Sequence, residues 1–167
     1  MPELKRQLSS ICTRAHQSVS SCSRAALPGT VDAPSATRFG QEEQGMIAHT
    51  TLAVSNYQKS KAFYGKALEP LGYHNNMEYG DSAGFNDGKV TDFWISQEDT
   101  VQPTHLAFQA QNREQVEAFH KAALAAGGKD NGGPGYRKYW PGYYAAFVHD
   151  PDGNNIEAVW FDYSKAE

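Results

Sequence analysis

The sequence predicts an α+β fold made of two copies of a strand–helix–strand–strand–strand (βαβββ) module. Three observations predict it. The chain repeats itself at a fixed spacing. Each copy opens with a β-type run followed by an amphipathic helical pattern. The second copy closes with two strand candidates joined by a strong turn.

The repeat starts at Met46. Aligning His49 with His105, at an offset of 56, makes seven identical pairs in 24 ungapped positions. They are His49/His105, Asn56/Asn112, Ala62/Ala118, Phe63/Phe119, Ala67/Ala123, Leu68/Leu124 and Gly72/Gly128. Chance gives roughly one or two, so the two halves are a duplication. After a longer connection in the second half, Asp87-Gly88 aligns with Asp152-Gly153 at an offset of 65. That register sets Asp92 on Glu157.

Each element follows from local pattern. Residues 47–54 read as a strand. Asn56 or Ser55 caps a helix that runs to about Leu68, and Gly72 closes it. Residues 103–110 repeat the strand. Asn112 caps the second helix, with Gln115 at the capping-box position, and Gly127-Gly128 end it. Residues 91–96, 143–149 and 155–161 are further strands. Asp150-Pro151-Asp152-Gly153 is the turn between the last two. Patterning is weak near 73–86 and 129–140. The modules span 46–96 and 103–162, and 163–167 form a tail.

Strand alternation assigns faces. Leu52 and Val54 oppose His49 and Thr51. Leu106 and Phe108 oppose His105, Ala107 and Gln109. With the apolar faces under the helices, both histidines point to a concave side. Glu157 shares that side, as do Asp92 and Trp94. Two histidines at equivalent repeat positions with a carboxylate on the same face point to one divalent metal ion. The bland alternative for each histidine alone is a structural or exposed residue. Trp94 and Phe147 suit either the core or an aromatic wall around a substrate. His74, His120 and His149 lack a repeat partner and read as surface or supporting groups.

Composition bounds the rest. The chain has 167 residues and a formal charge of −4. That is one domain with no basic footprint for nucleic acid. No apolar run approaches the ~20 residues of a membrane span. Cys12 and Cys22 are the only cysteines, so the modules contain neither a disulfide framework nor a thiolate site. Residues 1–45 lack strand patterning. Leu4, Leu8, Ile11 and Ala15 fall at helical spacing among Lys5, Arg6 and Arg14. The segment reads as a disordered leader, an extension from an upstream start codon, or a targeting segment. It is expected to be dispensable for folding. No secretory apolar region follows, so a cytoplasmic location is expected, or an organellar one if the leader is a targeting segment.

The His-x-x-Leu-x-Val run with Ala62-Phe63-Tyr64 in the following helix, and the ending Asp150-Pro-Asp-Gly-Asn-Asn-Ile-Glu157, resemble the vicinal oxygen chelate superfamily. That group includes glyoxalase I, extradiol dioxygenases, fosfomycin-resistance thiol transferases and bleomycin-resistance proteins. The resemblance covers about residues 46–162. It implies a curved mixed sheet of about eight strands forming a cup, with helices outside. It implies metal ligands at His49, His105 and Glu157, with Asp92 as the fourth that glyoxalase I adds. The ion is Zn, Ni, Co, Mn or Fe. Members often build the site across a dimer, so a homodimer is expected.

The resemblance also implies a tyrosine ten residues before the final glutamate in the dioxygenases and transferases. Here that residue is Phe147. Tyr143 shares its parity but lies roughly 13 Å further along the strand, which predicts that it is too far away unless a bulge intervenes. No arginine follows Glu157 to hold a phosphonate. Glyoxalase-like isomerase or lyase chemistry through a metal-stabilised enediolate therefore ranks first, with Glu157 and Asp92 as catalytic carboxylates. Thr51, Trp94, Gln109, Tyr143 and Phe147 are the substrate-contact candidates. Extradiol dioxygenase chemistry ranks second. A thiol transferase and a metal-free binding protein of the bleomycin-resistance kind are the remaining readings.

Overall fold

The computed structural model describes residues 47–165. The expected leader and both cysteines lie outside the described residues. Strand β1 (Thr50–Val54), helix α1 (Tyr57–Ala67), β2 (His74–Tyr79), β3 (Ser82–Asn86) and β4 (Phe93–Gln97) form the first module. Strand β5 (His105–Gln109), α2 (Arg113–Ala125), β6 (Lys129–Tyr136), β7 (Tyr143–His149) and β8 (Asn155–Phe161) form the second. The sheet orders are β1-β4-β3-β2 and β5-β8-β7-β6. In each, the outer pair β1/β4 or β5/β8 is parallel and the other pairs are antiparallel. The α+β fold of two βαβββ modules is as expected. Its eight strands are divided into two four-stranded sheets.

The helices begin where side chains can satisfy their free N–H groups. Asn56 Oδ1 accepts from Lys59 N, and Asn112 Oδ1 accepts from Gln115 N, both at 2.9 Å. Gln115 turns back as a capping box does, but its Oε1 takes the Gln111 N–H, one residue before the cap. A 3-10 turn follows α1, and Gly72 ends it at φ 83°, a conformation that costs glycine nothing. Below the helices the core is aromatic. Phe63, Tyr64, Phe85, Phe93 and Phe119 are essentially fully buried. Each contributes on the order of 2–3 kcal/mol by leaving water.

The modules are joined on the helix side. Phe108 of β5 packs edge-on against Phe93 of β4, with ring centroids 5.1 Å apart, and against Tyr73 at 5.6 Å. The Asp150–Gly153 turn reaches back to α1. Tyr64 Oη donates to Asp150 Oδ2 at 2.6 Å, inside the core. Asp152 accepts from the backbone N–H of Ser55 at 3.1 Å and from its hydroxyl, at the entry to α1. Burial and the Asp150 carboxylate hold the Tyr64 phenol well above its ordinary pKa. Among the described residues, no helix is long and apolar enough to cross a membrane.

Candidate functional site

The second module places its chemistry on the face away from the helices. In the β5/β8 and β7/β8 ladders, Glu157 sits opposite Ala107 on one side and Phe147 on the other. His105 is two pairs along, on the same face, opposite Asn155. His105 Nδ1 lies 3.1 Å from the Asn155 carbonyl oxygen, and Nε2 lies 3.1 Å from Glu157 Oε2. A carbonyl only accepts, so Nδ1 carries the proton and donates it there. Nε2 then turns a lone pair toward a carboxylate that is 2% exposed. Two acceptors at that distance need a positive charge, a proton or a metal ion, between them.

The donor set suits a metal. Neighbouring ligand atoms on an ion held at about 2.0–2.2 Å from each lie about 3 Å apart, as these two do. A backbone carbonyl that fixes the imidazole tautomer is the usual outer partner of a metal-bound histidine. Tyr143 supplies a second outer contact. Its Oη donates to Glu157 Oε1 at 2.5 Å. Burial and the Glu157 carboxylate raise the Tyr143 phenol well above its ordinary pKa.

That contact corrects the expectation that Tyr143 is too far away. The β7/β8 register is continuous, so no bulge brings it closer. Tyr143 opposes Phe161, and the one same-face pair between it and Phe147/Glu157 is Ala145/Val159. A small residue at 145 lets the phenol lie along the strand and meet Glu157, which leans toward it.

The first module differs. β1 starts at Thr50, whose N–H donates to the Asp92 carbonyl, so His49 is exposed just before the strand rather than within it. The ladders also move the expected equivalence. Thr51 opposes Trp94 as Ala107 opposes Glu157, and Gly84 opposes Trp94 as Phe147 opposes Glu157. The counterpart of Glu157 is therefore Trp94. Asp92 falls at the position of Asn155. Matching Asp87-Gly88 to Asp152-Gly153 slipped the register by two; the ladders match Asp87 to Asp150.

Asp92 accepts from Tyr73 Oη at 2.9 Å, while its Oδ1 is buried with no partner among the described residues. Burial and that carboxylate push the Tyr73 phenol well up. Asp92, His49, Tyr73, Ala107 and Gln109 line a cavity of about 350 Å³ between the edges of β1 and β5, and His105 is not part of its lining. Among the described residues, no three His, Cys, Asp or Glu side chains come together to hold a metal. One chain thus brings His105 and Glu157 together and leaves His49 and Asp92 elsewhere.

The remaining candidates divide the same way. Phe147 lies beside His105, ring centroids 6.4 Å apart. Thr51 and Gln109 are exposed on the open faces of β1 and β5. Trp94 is half-buried over Gly84, where an added Cβ would lie 3.0 Å from its ring. His120 bonds Asp130 at 2.9 Å, and His74 is exposed. Pattern reading missed Asn155, Tyr73 and Arg137. Asn155 acts through its backbone, which side-chain motifs do not report. The other two sit in the weakly patterned stretches.

Residues 46–158 match the family model described as the Glyoxalase/Bleomycin resistance protein/Dioxygenase superfamily. The chain belongs to this superfamily. A crystal structure of a glyoxalase/bleomycin resistance protein from Albidiferax ferrireducens T118 is 32% identical, with a TM-score of 0.60. The match covers 70% of this chain and 98% of that one. The lactoylglutathione lyase from Agrobacterium tumefaciens, at 18% identity and a TM-score of 0.53 over 71% and 96% of the two chains, shares the fold alone. The uncharacterized protein YqjT of Bacillus subtilis (strain 168) is 29% identical over 128 residues, which is 66% of this chain and 95% of YqjT.

Proposed function

We propose that this superfamily member is a divalent-metal-dependent enzyme acting on a small substrate that binds through adjacent oxygen atoms, with glyoxalase-like isomerase or lyase chemistry. The observation that carries the reading is the opposed His105 Nε2 and buried Glu157 Oε2, 3.1 Å apart, with each partner's other polar atom already committed. Such a pair is half of a metal centre. His49 is exposed and lines a different cavity in its own chain, so we assign the completing ligand to His49 of a second copy. The active form is then a homodimer.

When bound, the ion supplies Lewis-acid stabilisation of the oxyanion that forms as a proton leaves the adjacent carbon. The chain's own residues do the rest. Glu157 is the carboxylate that takes and returns that proton. Tyr143 holds Oε1, so the carboxylate keeps one orientation. Asn155 fixes the imidazole. Phe147 screens the pair from water on the β7 side.

A second reading has a specific observation in its favour. Trp94 occupies the place of a second carboxylate, which leaves a two-histidine, one-carboxylate set, and Tyr143 sets a phenol on that carboxylate. That combination suits Fe(II) and ring-cleaving oxygen chemistry of the extradiol type. The test loads the protein separately with Zn, Ni, Co, Mn and Fe(II). Each form is assayed on α-oxoaldehyde thiol adducts, and on catechols in air. Isomerisation is expected. Catechol cleavage without it transfers the assignment to the dioxygenase. Failure of every metal to bind in calorimetry overturns both and leaves a binding protein. Light scattering of the metal-loaded protein reads the shared centre, and a monomer refutes it.

A further inference from the structure

Beside the His105–Glu157 pair lies a cation that the proposed reaction does not yet use. Arg137 follows β6, and its backbone N–H donates to the Tyr143 carbonyl at 2.8 Å. It therefore continues the β6/β7 ladder opposite Tyr143, on the open face. Its side chain folds back along Gly132-Gly133-Pro134-Gly135. A Cβ added at Gly132 would lie 3.4 Å from Arg137 Nη2 and 3.3 Å from Phe147 Cδ2. A Cβ at Gly135 would lie 3.5 Å from Nη1. The guanidinium thus lies within van der Waals distance of this glycine-rich stretch, and the tight contact of a Gly132 Cβ would be with Phe147.

The guanidinium is held but not neutralised. Nη2 donates to the carbonyls of Gly133, at 2.5 Å, and Ala145, at 3.2 Å. Its carbon sits 5.3 Å from the centroid of the Phe147 ring. The same ring lies 6.4 Å from His105, its plane tilted 30° from the imidazole. Phe147 is thus the spacer between the metal-ligand pair and a fixed positive charge. Among the described residues, no carboxylate pairs with Arg137, and Nη1 and Nε have no acceptor. A guanidinium stays charged at any working pH. Two carbonyls and a ring face fix its plane, so the cost of ordering it for a ligand is already met.

We infer that Arg137 is a specificity-determining residue that binds a carboxylate at the far end of the substrate. This rests on the metal-centre reading. The substrate class becomes an α-oxygenated compound with a second, distal carboxylate, its oxygenated end at His105–Glu157 and its carboxylate on the guanidinium. The Nη1 and Nε N–H groups are left to donate charge-assisted hydrogen bonds to a carboxylate.

The test compares 2-oxoglutarate with 2-oxopentanoate, which has the same chain but no distal carboxylate. Both are titrated calorimetrically into the zinc-loaded and the metal-free full chain. The dicarboxylate is expected to bind about tenfold tighter or more, the usual worth of a hydrogen bond to a charged group. Arg137→Met is expected to bring the ratio close to one and leave 2-oxopentanoate unchanged. Arg137→Lys keeps part of the preference. Inorganic phosphate is the third probe; if it displaces 2-oxoglutarate at equal affinity, the site reads tetrahedral anions and the carboxylate assignment fails. Equal binding of the two oxoacids by the wild type, no binding of either, or a preference that survives in Arg137→Met, overturns the proposal. Zinc affinity of Arg137→Met is measured separately and should match the wild type. Loss of zinc binding by the wild type itself counts against the metal centre, and the oxoacid ratio in the metal-free chain then still decides on Arg137.

Discussion

The two modules share a fold and differ in what they carry. Each has the parallel outer pair, the capped helix and the core face of alternating apolar residues. On the open face, the second module has Phe147, Glu157 and His105 at three neighbouring ladder positions. The first has Gly84, Trp94 and the exposed His49 at the corresponding ones. The clamp on the helix side is also one-sided. Tyr64 of α1 bonds the buried Asp150 of the second module. Its repeat counterpart His120 bonds Asp130, and Asp87, the counterpart of Asp150, is exposed. Duplication preserved the parts that fold and let the open faces diverge, because packing constrains both copies alike.

The largest test of this asymmetry truncates matching side chains on each open face. His105→Ala and Glu157→Ala should each weaken divalent-metal binding by about 100-fold or more in calorimetry, since a lost direct ligand costs more than a lost outer partner. Trp94→Ala, at the counterpart of Glu157, should leave metal affinity within about threefold on the same scale. Equal losses would make the two open faces equivalent.

The one-sided clamp comes next. Tyr64→Phe should cost about 2 kcal/mol in urea unfolding, because it leaves a buried carboxylate one donor short. His120→Phe should move the midpoint less, since Asp130 stays solvated. The reverse ranking would show that the modules are not held together through α1.

Tyr143→Phe should weaken metal binding about tenfold, the usual effect of removing a ligand's outer partner. An unchanged affinity would mean that Glu157 holds its orientation without the phenol. The smallest expected effect is that of Asp92→Asn. Its position matches Asn155 rather than Glu157, so metal affinity should stay within about threefold. A loss as large as that of Glu157→Ala would restore Asp92 to the ligand set.

Much of the fold was legible from local rules. Asn56 and Asn112 cap the helices they were expected to cap, and β7 and β8 have the expected bounds. The pairing of Asp92 with Glu157 failed for a physical reason. A strand repeats every two residues, so a slip of two leaves every face assignment intact and alternation gives no warning. Asp-Gly recurs in turns whatever their register, and it drew the alignment to the wrong aspartate. Tyr143 was misjudged because backbone spacing ignores the reach of a phenol over an alanine. Arg137 was invisible because the strand before it has three glycines and a proline in eight residues, with two register shifts against β7. Such a stretch has no periodicity from which to assign a face.

The turn that ends the second module also bears on how the chain is made. Asp152 accepts from the Ser55 N–H across 97 residues, just before α1, and Tyr64 meets Asp150 across 86. A ribosome releases the first module long before those aspartates exist. Until they arrive, the Tyr64 hydroxyl and the Ser55 N–H lack the partners they have in the finished fold. The first module therefore waits during synthesis for β7, β8 and the turn between them, which complete both modules together.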